Sequence, residues 1–436
     1  MMLNKAFGSV SLSRKSRVLS LATVTDAIKV RDEVVPVNPQ ALFMRLVWVI
    51  NRDPGSLSKY LSYELATRPP ALFDDISMRK NAKSTLLEVF ESFPASELPL
   101  EDSQKVVDGG YLLRALVWPK PATFGALIEA YIRHVIRHYS KDATVIFDGY
   151  SEQMSTKTAE QKRRASKRTS PNIHFDLQTT VTVPQADFLS NSQNKARLIN
   201  LLSQTLESEG VRVRQAIADA DALIVKTALD IAREKNKVVV VGTDTDLLIM
   251  LLARARKPDK IYFLSPGSKA YNVGSIQNTI GERKQCLLFI HAMSGCDTTS
   301  ALFGKGKKKA WKLSINKDVQ KISAIFCTRT SSKESVAKAG EKFIMMLYES
   351  GKNSEPSLDD LRCRIYARTL AKKSVTSNFE LASLPPTSAA ARQHSLRTYL
   401  QVPILKQNTS YYYNHSLTTQ MTVSGSRVAR ELPSSY

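Results

Sequence analysis

The sequence predicts an α/β fold, with a mainly parallel central sheet and helices on both of its faces. Two observations carry that prediction. From Lys105 onward, short apolar runs alternate with stretches of helical spacing, and such alternation favours parallel strands linked by crossover helices. Acidic residues then recur where those short runs end, at the sheet edge where α/β proteins bind ligands.

In chain order, residues 1 to about 100 read as a mostly helical N-terminal extension, with an apolar stretch at Ala41 to Ile50 and a break at Arg68-Pro69-Pro70. An α/β domain follows over residues 101–315. Its predicted strands are Val106-Val107, Thr144 to Phe147, Val211 to Val213, Val238 to Val241 and Ile261 to Leu264. Between them Phe124 to Tyr139, Lys195 to Glu207, Asp219 to Glu234 and Asp246 to Arg256 carry helical periodicity. Residues 151–193 form a basic, polar insert that reads as helical. A helical C-terminal region is expected over 316–406, with its clearest patches at Ala337 to Tyr348 and Leu358 to Ala371. Residues 407–436, rich in Ser, Thr and Tyr, predict a disordered tail.

Charge narrows the partners. The chain carries 62 Lys and Arg against 40 Asp and Glu, a formal net charge of +22, which favours a polyanion because basic side chains displace counterions from phosphate backbones. No apolar run is long enough to span a bilayer, so nucleic acid is expected and a membrane is not. Four cysteines without a CxxC pair argue against a disulfide framework or a zinc finger and for an intracellular, reducing compartment. The first 25 residues lack acidic groups and carry several Ser, Lys and Arg. That composition is faintly that of a transit peptide, but an ordinary disordered terminus accounts for it more simply.

The acids are the informative feature. Val-Val-Asp ends at Asp108, Val-Ile-Phe-Asp at Asp148, and Val-Val-Val-Val-Gly-Thr-Asp at Asp244. Asp219 and Asp221, in Ala-Asp-Ala-Asp-Ala, open the helix after the third strand, and Asp246 opens the helix after the fourth. Asp297, in Ser-Gly-Cys-Asp, follows the apolar helix Gln285 to Met293. Singly, each has a bland explanation as a helix cap, a first-turn acid or a turn residue. Together at one edge they repel unless cations neutralise them, and hard divalent ions with oxygen ligands do so. In a two-metal site one ion activates a water and the other stabilises the leaving oxygen of a phosphodiester.

This ordered series resembles the acidic motifs of flap endonucleases and the related Asteroid-type proteins, over roughly Lys105 to Trp311. The resemblance implies a PIN-like α/β domain and Mg²⁺-dependent (or Mn²⁺-dependent) cleavage of structured DNA with two ions. It implies that Asp108, Asp148, Asp219, Asp221, Asp244, Asp246 and Asp297 are the metal-site and catalytic acids. Two departures stand out. Asp replaces the family's usual Glu at Asp219 and Asp221, shortening the reach by one methylene, and about 100 residues precede a first motif that is near-terminal in the family. The tail, with Leu384-Pro385-Pro386-Thr387 and Arg392-Gln393-His394-Ser395-Leu396, is similar to that of a widespread group of animal proteins, many of them transposon-associated.

Two basic elements suit a phosphate backbone. Lys157, Lys162, Arg163, Arg164, Lys167 and Arg168 follow Asp148 on one predicted helix, where flap endonucleases place a basic helix that steers the scissile phosphate. The competing reading is a solvated face or a nuclear-import patch. Lys305, Lys307, Lys308 and Lys309 lie in Phe303-Gly304-Lys305-Gly306-Lys307-Lys308-Lys309, a Gly-x-Gly turn before a Lys-rich helix start that suits backbone phosphate. His134 and His138 sit four apart on a helix, a zinc-compatible spacing, but with no third ligand nearby they read as a surface pair. Cys296 reads as core, and Tyr411 to Tyr413 as part of the tail. The sequence thus predicts a metal-dependent, structure-selective nuclease acting in the nucleus. The alternative is a catalytically inactive nucleic-acid-binding or scaffold protein on the same fold, of mobile-element origin.

Overall fold

The structure, a computed structural model, describes residues 26–30, 33–37, 48, 57–75, 77–98, 102–149, 170–217, 219–234, 237–256, 260–265, 267, 269–349, 356–372 and 380–406. The chain divides into two compact units. The larger comprises residues 78–353 and 392–410, and the smaller comprises residues 1–77, 354–391 and 411–436.

A seven-stranded sheet organises the larger unit. Its strands are β1 (Phe93–Pro94), β2 (Ser103–Asp108), β3 (Thr144–Phe147), β4 (Arg212–Gln215), β5 (Lys237–Val241), β6 (Ile261–Ser265) and β7 (Lys269–Asn272), in spatial order β1-β7-β6-β5-β2-β3-β4. The five strands β6, β5, β2, β3 and β4 are parallel. β7 returns antiparallel beside β6, and β1 pairs antiparallel with β7. Each predicted strand is present, with bounds within three residues of those expected. The β6–β7 hairpin is additional; its turn contains Gly267 at φ 89°, the left-handed conformation that glycine adopts without a Cβ penalty.

Both faces of the sheet are dry. Val107, Val145, Phe147, Val239 and Val241 join one apolar core, while their neighbours Val106, Ile146, Val238 and Val240 are equally buried on the opposite face. Alternation along a strand requires helices on each side. On the first face lie α2 (Phe124–Tyr139) and α3 (Ser192–Ser208), after the short α1 (Gly109–Ala115). Thr123 caps α2, accepting from the Ala126 N–H at 3.2 Å, and the helix buries Leu127, Ile128, Tyr131 and Val135 against Leu198 and Leu202 of α3. Each such side chain contributes about 1.5–3 kcal/mol on burial. The Tyr131 hydroxyl donates to the Leu113 carbonyl at 2.8 Å and accepts from Trp118 Nε1 at 2.8 Å. Tyr131→Phe would therefore leave an indole N–H unpaired in the core.

α4 (Asp221–Glu234), α5 (Thr245–Arg254), α6 (Val273–Ile280) and α7 (Leu287–Met293) follow. Every residue of α7 is buried, and α5 is buried from Thr245 to Leu252. α8 (Lys307–Leu313), α9 (Lys317–Cys327), α10 (Lys333–Glu349) and residues 392–406 of α12 (Ser388–Lys406) complete the larger unit. In the smaller unit α11 (Leu358–Lys372) contributes Tyr366 to a cluster with Leu61, Leu65 and Leu384. Buried Arg362 there pairs with Glu64 at 3.4 Å and donates to the Pro385 carbonyl. The described part of residues 1–100 is not mainly helical. It holds the hairpin Asp26–Val30/Glu33–Val37, the five-residue helix Leu57–Leu61, the pair Phe73–Asp74/Ser77–Met78 and a 3-10 helix at Lys83–Val89. No described helix is long and apolar enough to cross a membrane.

The topology singles out one edge of the sheet. From β2 the chain steps outward to β3 and β4, then returns to the other side of β2 for β5 and β6. The strand order therefore reverses between β2 and β5, and in open α/β sheets ligands generally bind outside the carboxyl ends of the strands at such a reversal.

Candidate metal centre

Asp108 closes β2 and N-caps α1, its Oδ1 accepting from the Gly110 N–H at 2.8 Å. Across the switch point, β5 ends at Val241, and Gly242 lets its chain run close past Asp108. A Cβ on Gly242 would stand 3.3 Å from Asp108 Cβ and 3.0 Å from Leu247 Cδ1. Asp244 then N-caps α5, accepting from the Asp246 N–H at 2.9 Å. The bland reading of these acids as caps is correct, and it positions them: each cap fixes a carboxylate at the crevice.

Asp148 follows β3. Its Oδ1 accepts from the Ala220 N–H at 3.1 Å, which draws Asp219 and Asp221, on either side of Ala220, to the same edge. Gly149 makes this approach possible, since a Cβ there would lie 2.1 Å from the Ala216 carbonyl oxygen and 2.3 Å from that of Ile217. Asp219 is exposed, and Asp221 is half-buried as the first residue of α4.

Asp297 arrives from the far side of the crevice, on the turn after α7. That turn is pinned on several sides. Thr299 Oγ1 donates to the Ala292 carbonyl at 2.6 Å and accepts from the Cys296 N–H at 3.1 Å, and Lys80 Nζ donates to the Asp297 carbonyl at 3.0 Å. α12 buttresses it. His394 Nε2 lies 3.0 Å from the Met293 carbonyl, and Thr298 Oγ1 donates to Gln401 Oε1 at 2.6 Å. The result is that one carboxylate oxygen from each of Asp244, Asp246 and Asp297 lies within 4.8 Å of the others. Oxygens on opposite sides of one ion are about 4.2 Å apart for Mg²⁺ and about 5 Å for Ca²⁺. An all-carboxylate set at this spacing suits a hard divalent cation; with neither thiolate nor imidazole ligands it is a poor zinc site.

The acids feel one another. Burial pushes the Asp108 carboxyl up from 3.8 to about 6; the Gly110 N–H opposes the rise, and the charges of Asp148 and Asp244 add to it. Two lysines lie close to these acids. Lys195 of α3, largely buried, holds its Nζ 3.7 Å from Asp148 Oδ2. Burial lowers its pKa, and the attraction of Asp148 and Asp108 opposes that fall. Lys307 is fully buried, donating to the His291 carbonyl at 2.9 Å and the Gly295 carbonyl at 2.6 Å. This corrects the expectation that Lys307 contacts nucleic acid. Its ammonium satisfies main-chain oxygens at the end of α7 and does not face solvent.

Of the other basic residues, Lys308 is exposed and paired with Glu88, and Lys309 is half-buried. Lys305 lies 4.2 Å from the centre of the Tyr348 ring, and burial, with help from Lys309, lowers it to about 8. Lys157, Lys162, Arg163 and Arg164 lie outside the described residues, as do Lys167 and Arg168. The rings of His134 and His138 stand 4.5 Å apart. Among the described residues Asp244, Asp246 and Asp297 are the one group of three acids, cysteines or histidines at metal-binding distances.

Sequence reading passed over Lys195 and His291. Lys195 had a signal: a cation one turn into a helix opposes the helix dipole, so its place needs another reason. His291 had one as well, being the single polar residue within Leu287–Met293. Its Nε2 lies 3.0 Å from Asp246 Oδ1.

Comparison with known proteins adds the following. The family described as "Domain of unknown function (DUF8702)" matches residues 1–64. No curated protein matches the chain. Among solved structures, the catalytic core of Rad2 with a DNA substrate is 15% identical, covering 71% of this chain and 91% of its own at a TM-score of 0.36. Flap endonuclease-1 from Methanococcus jannaschii is 14% identical, covering 73% and 98% at a TM-score of 0.35. A bacteriophage T5 flap endonuclease, in a pseudo-enzyme–product complex with DNA and metal ions, is 11% identical, covering 76% and 100% at a TM-score of 0.36. At these scores the likeness is loose, and a functional reading has to stand on this chain's own side chains.

Proposed function

We propose that this chain is a metal-dependent nuclease that hydrolyses phosphodiesters in structured DNA, using two Mg²⁺ or Mn²⁺ ions on a PIN-like domain within the nucleus. The observation that carries the reading is the meeting of Asp244, Asp246 and Asp297 oxygens within 4.8 Å, beside an Asp108 that senses both Asp148 and Asp244. A protein built only to bind DNA gains nothing from repelling phosphates at such an edge.

Bound cations would supply Lewis-acid stabilisation of the charge that develops on the phosphoryl group. The remaining work belongs to the chain. Asp244, Asp246 and Asp297 would hold one ion, and Asp108 and Asp148, with Asp219 and Asp221 at the rim, the other. Lys195 offsets the charge of Asp148 and Asp108. Lys305, Lys308 and Lys309 lie on the segment after Asp297 and would grip the backbone without reading sequence; Lys157, Lys162, Arg163 and Arg164 would do so from the insert.

The test is cleavage of flap, nicked and single-stranded DNA with Mg²⁺ or Mn²⁺, by wild type and by Asp244→Asn/Asp246→Asn. The double variant should lose cleavage while keeping or increasing affinity, because an ion that acts on the transition state contributes little to capture. If wild type binds DNA but cuts under no metal, the scaffold reading replaces the nuclease.

A further inference from the structure

We propose that His291, with its ring tautomer set by the buried Lys307, is a positioning residue that orients Asp246 toward the cation. The inference rests on the metal-centre reading above and deepens it by naming what aims a ligand.

His291 is fully buried in α7, and its two ring nitrogens face different partners. Nε2 is 3.0 Å from Asp246 Oδ1, off the straight line that a ring N–H prefers, and Nδ1 is 3.4 Å from Lys307 Nζ. An ammonium has donors only. The nitrogen facing it must therefore present a lone pair, and the ring proton resides on Nε2, toward the carboxylate. The other tautomer would set N–H against ammonium and lone pair against carboxylate, two repulsions in a site without water to screen them.

Lys307 cannot turn away to relieve either contact. Its Nζ also donates to the His291 and Gly295 carbonyls at 2.9 and 2.6 Å and lies 3.4 Å from Ser294 Oγ. These groups all belong to the segment that leads to Asp297, so one ammonium ties together the turn that carries Asp297 and the ring that touches Asp246. With one oxygen in 3.0 Å contact with an imidazole nitrogen inside a buried site, the Asp246 carboxylate loses rotational freedom. A ligand so held need not be ordered when the ion arrives. Lys307 is also the first residue of α8, which joins this core to the basic loop around Lys305.

Two measurements on the full chain test the idea, neither of them catalytic. The first is nitrogen-15 NMR of histidine-labelled, metal-free wild type, with the His291 signal assigned by its loss in His291→Gln. The ring should be neutral with the proton on Nε2, and a ring protonated on Nδ1 overturns the proposal. The second is Mn²⁺ affinity by calorimetry. His291→Leu should weaken binding about 10- to 100-fold, and His291→Gln, whose amide N–H reaches as far as Nε2, should recover most of it. Wild-type affinity in a folded His291→Leu sinks the inference and leaves the metal centre standing. No Mn²⁺ binding by wild type sinks both. Should circular dichroism show His291→Leu unfolded, the tautomer and the affinity of His291→Gln decide: a loss beyond tenfold in that variant counts against a positioning N–H.

Discussion

Replacing Asp108 by Asn should make the metal-free protein more stable, although it removes a residue that closes β2 in the middle of the parallel strands. Burial holds the Asp108 carboxyl near 6 in the folded chain against 3.8 as a free side chain. Because the folded value lies above the unfolded one, ionisation is what costs stability. The cost is absent below pH 3.8, grows as the pH rises toward 6, and is fully present at pH 7. The interval corresponds to about 3 kcal/mol. Asparagine keeps the shape and still accepts the Gly110 N–H, being as good an N-cap as aspartate, so little is lost in exchange. Net stabilisation of about 1–3 kcal/mol is expected in chelator at pH 7, or a rise of roughly 2–10 °C in the unfolding midpoint.

Calorimetry or thermal circular dichroism in EDTA, with wild type and Asp108→Asn at pH 7 and pH 4.5, reads this directly. The gap between the two proteins should shrink at the lower pH. Saturating Mg²⁺ or Mn²⁺ should reverse their order, since an ion that binds only the folded chain stabilises wild type in proportion to its occupancy. A variant less stable than wild type in EDTA refutes the reasoning. Asp108 would then be a structural cap whose charge the fold welcomes.

Three further outcomes follow from the geometry. His394, fully buried and lowered by burial from 6.5 to about 4, keeps its contribution above pH 6.5 and loses up to about 3 kcal/mol as the pH falls toward 4; denaturant midpoints of wild type and His394→Gln should converge over that window. Gly149→Ala forces a methyl group into the Ala216 and Ile217 carbonyls, shifting the loop that holds Asp148 and carries Asp219, and Mn²⁺ titration should show about a tenfold or greater loss of affinity with the fold retained. Replacing Lys305, Lys308 and Lys309 together by Ala should flatten the slope of log affinity for DNA against log salt by about 2–3, without changing sequence preference; an unchanged slope removes that segment from the interface.

The sheet was legible because its signal is redundant. Val238–Val241 is buried on both faces, and a continuous β-branched run between helical stretches has few other readings. β4 was nearly as clear although Arg212 and Gln215 are exposed, because it lies at the sheet edge and still obeys strand spacing. The β6–β7 hairpin was missed even though Pro266-Gly267 marks a turn; a tight return inside a parallel pattern competes with the expectation of another crossover. In the N-terminal hundred, the apolar stretch Ala41 to Ile50 lies outside the described residues apart from Trp48. Lysine 307 misled for a different reason. In a run of four basic residues out of five, composition says solvent, while the helix phase sends one of them inward to the α7 carbonyls, and phase cannot be read from so short a helix.

The same lysines bear on how a chain of net charge +22 keeps a cluster of acids at one sheet edge. Surface charge is of little use to buried carboxylates, because screening removes it within about 8–10 Å of water; the counter-charge has to come from inside. It does so differently at the two ends of the crevice. At Asp148 an ammonium stands directly opposite, with Lys195 Nζ at 3.7 Å. At Asp246 the ammonium of Lys307 acts through an intervening imidazole, so its attraction falls with the added distance and its place near the carboxylate is already taken by a neutral ring. A cation entering at Asp108 and Asp148 must compete with Lys195 for the same oxygens.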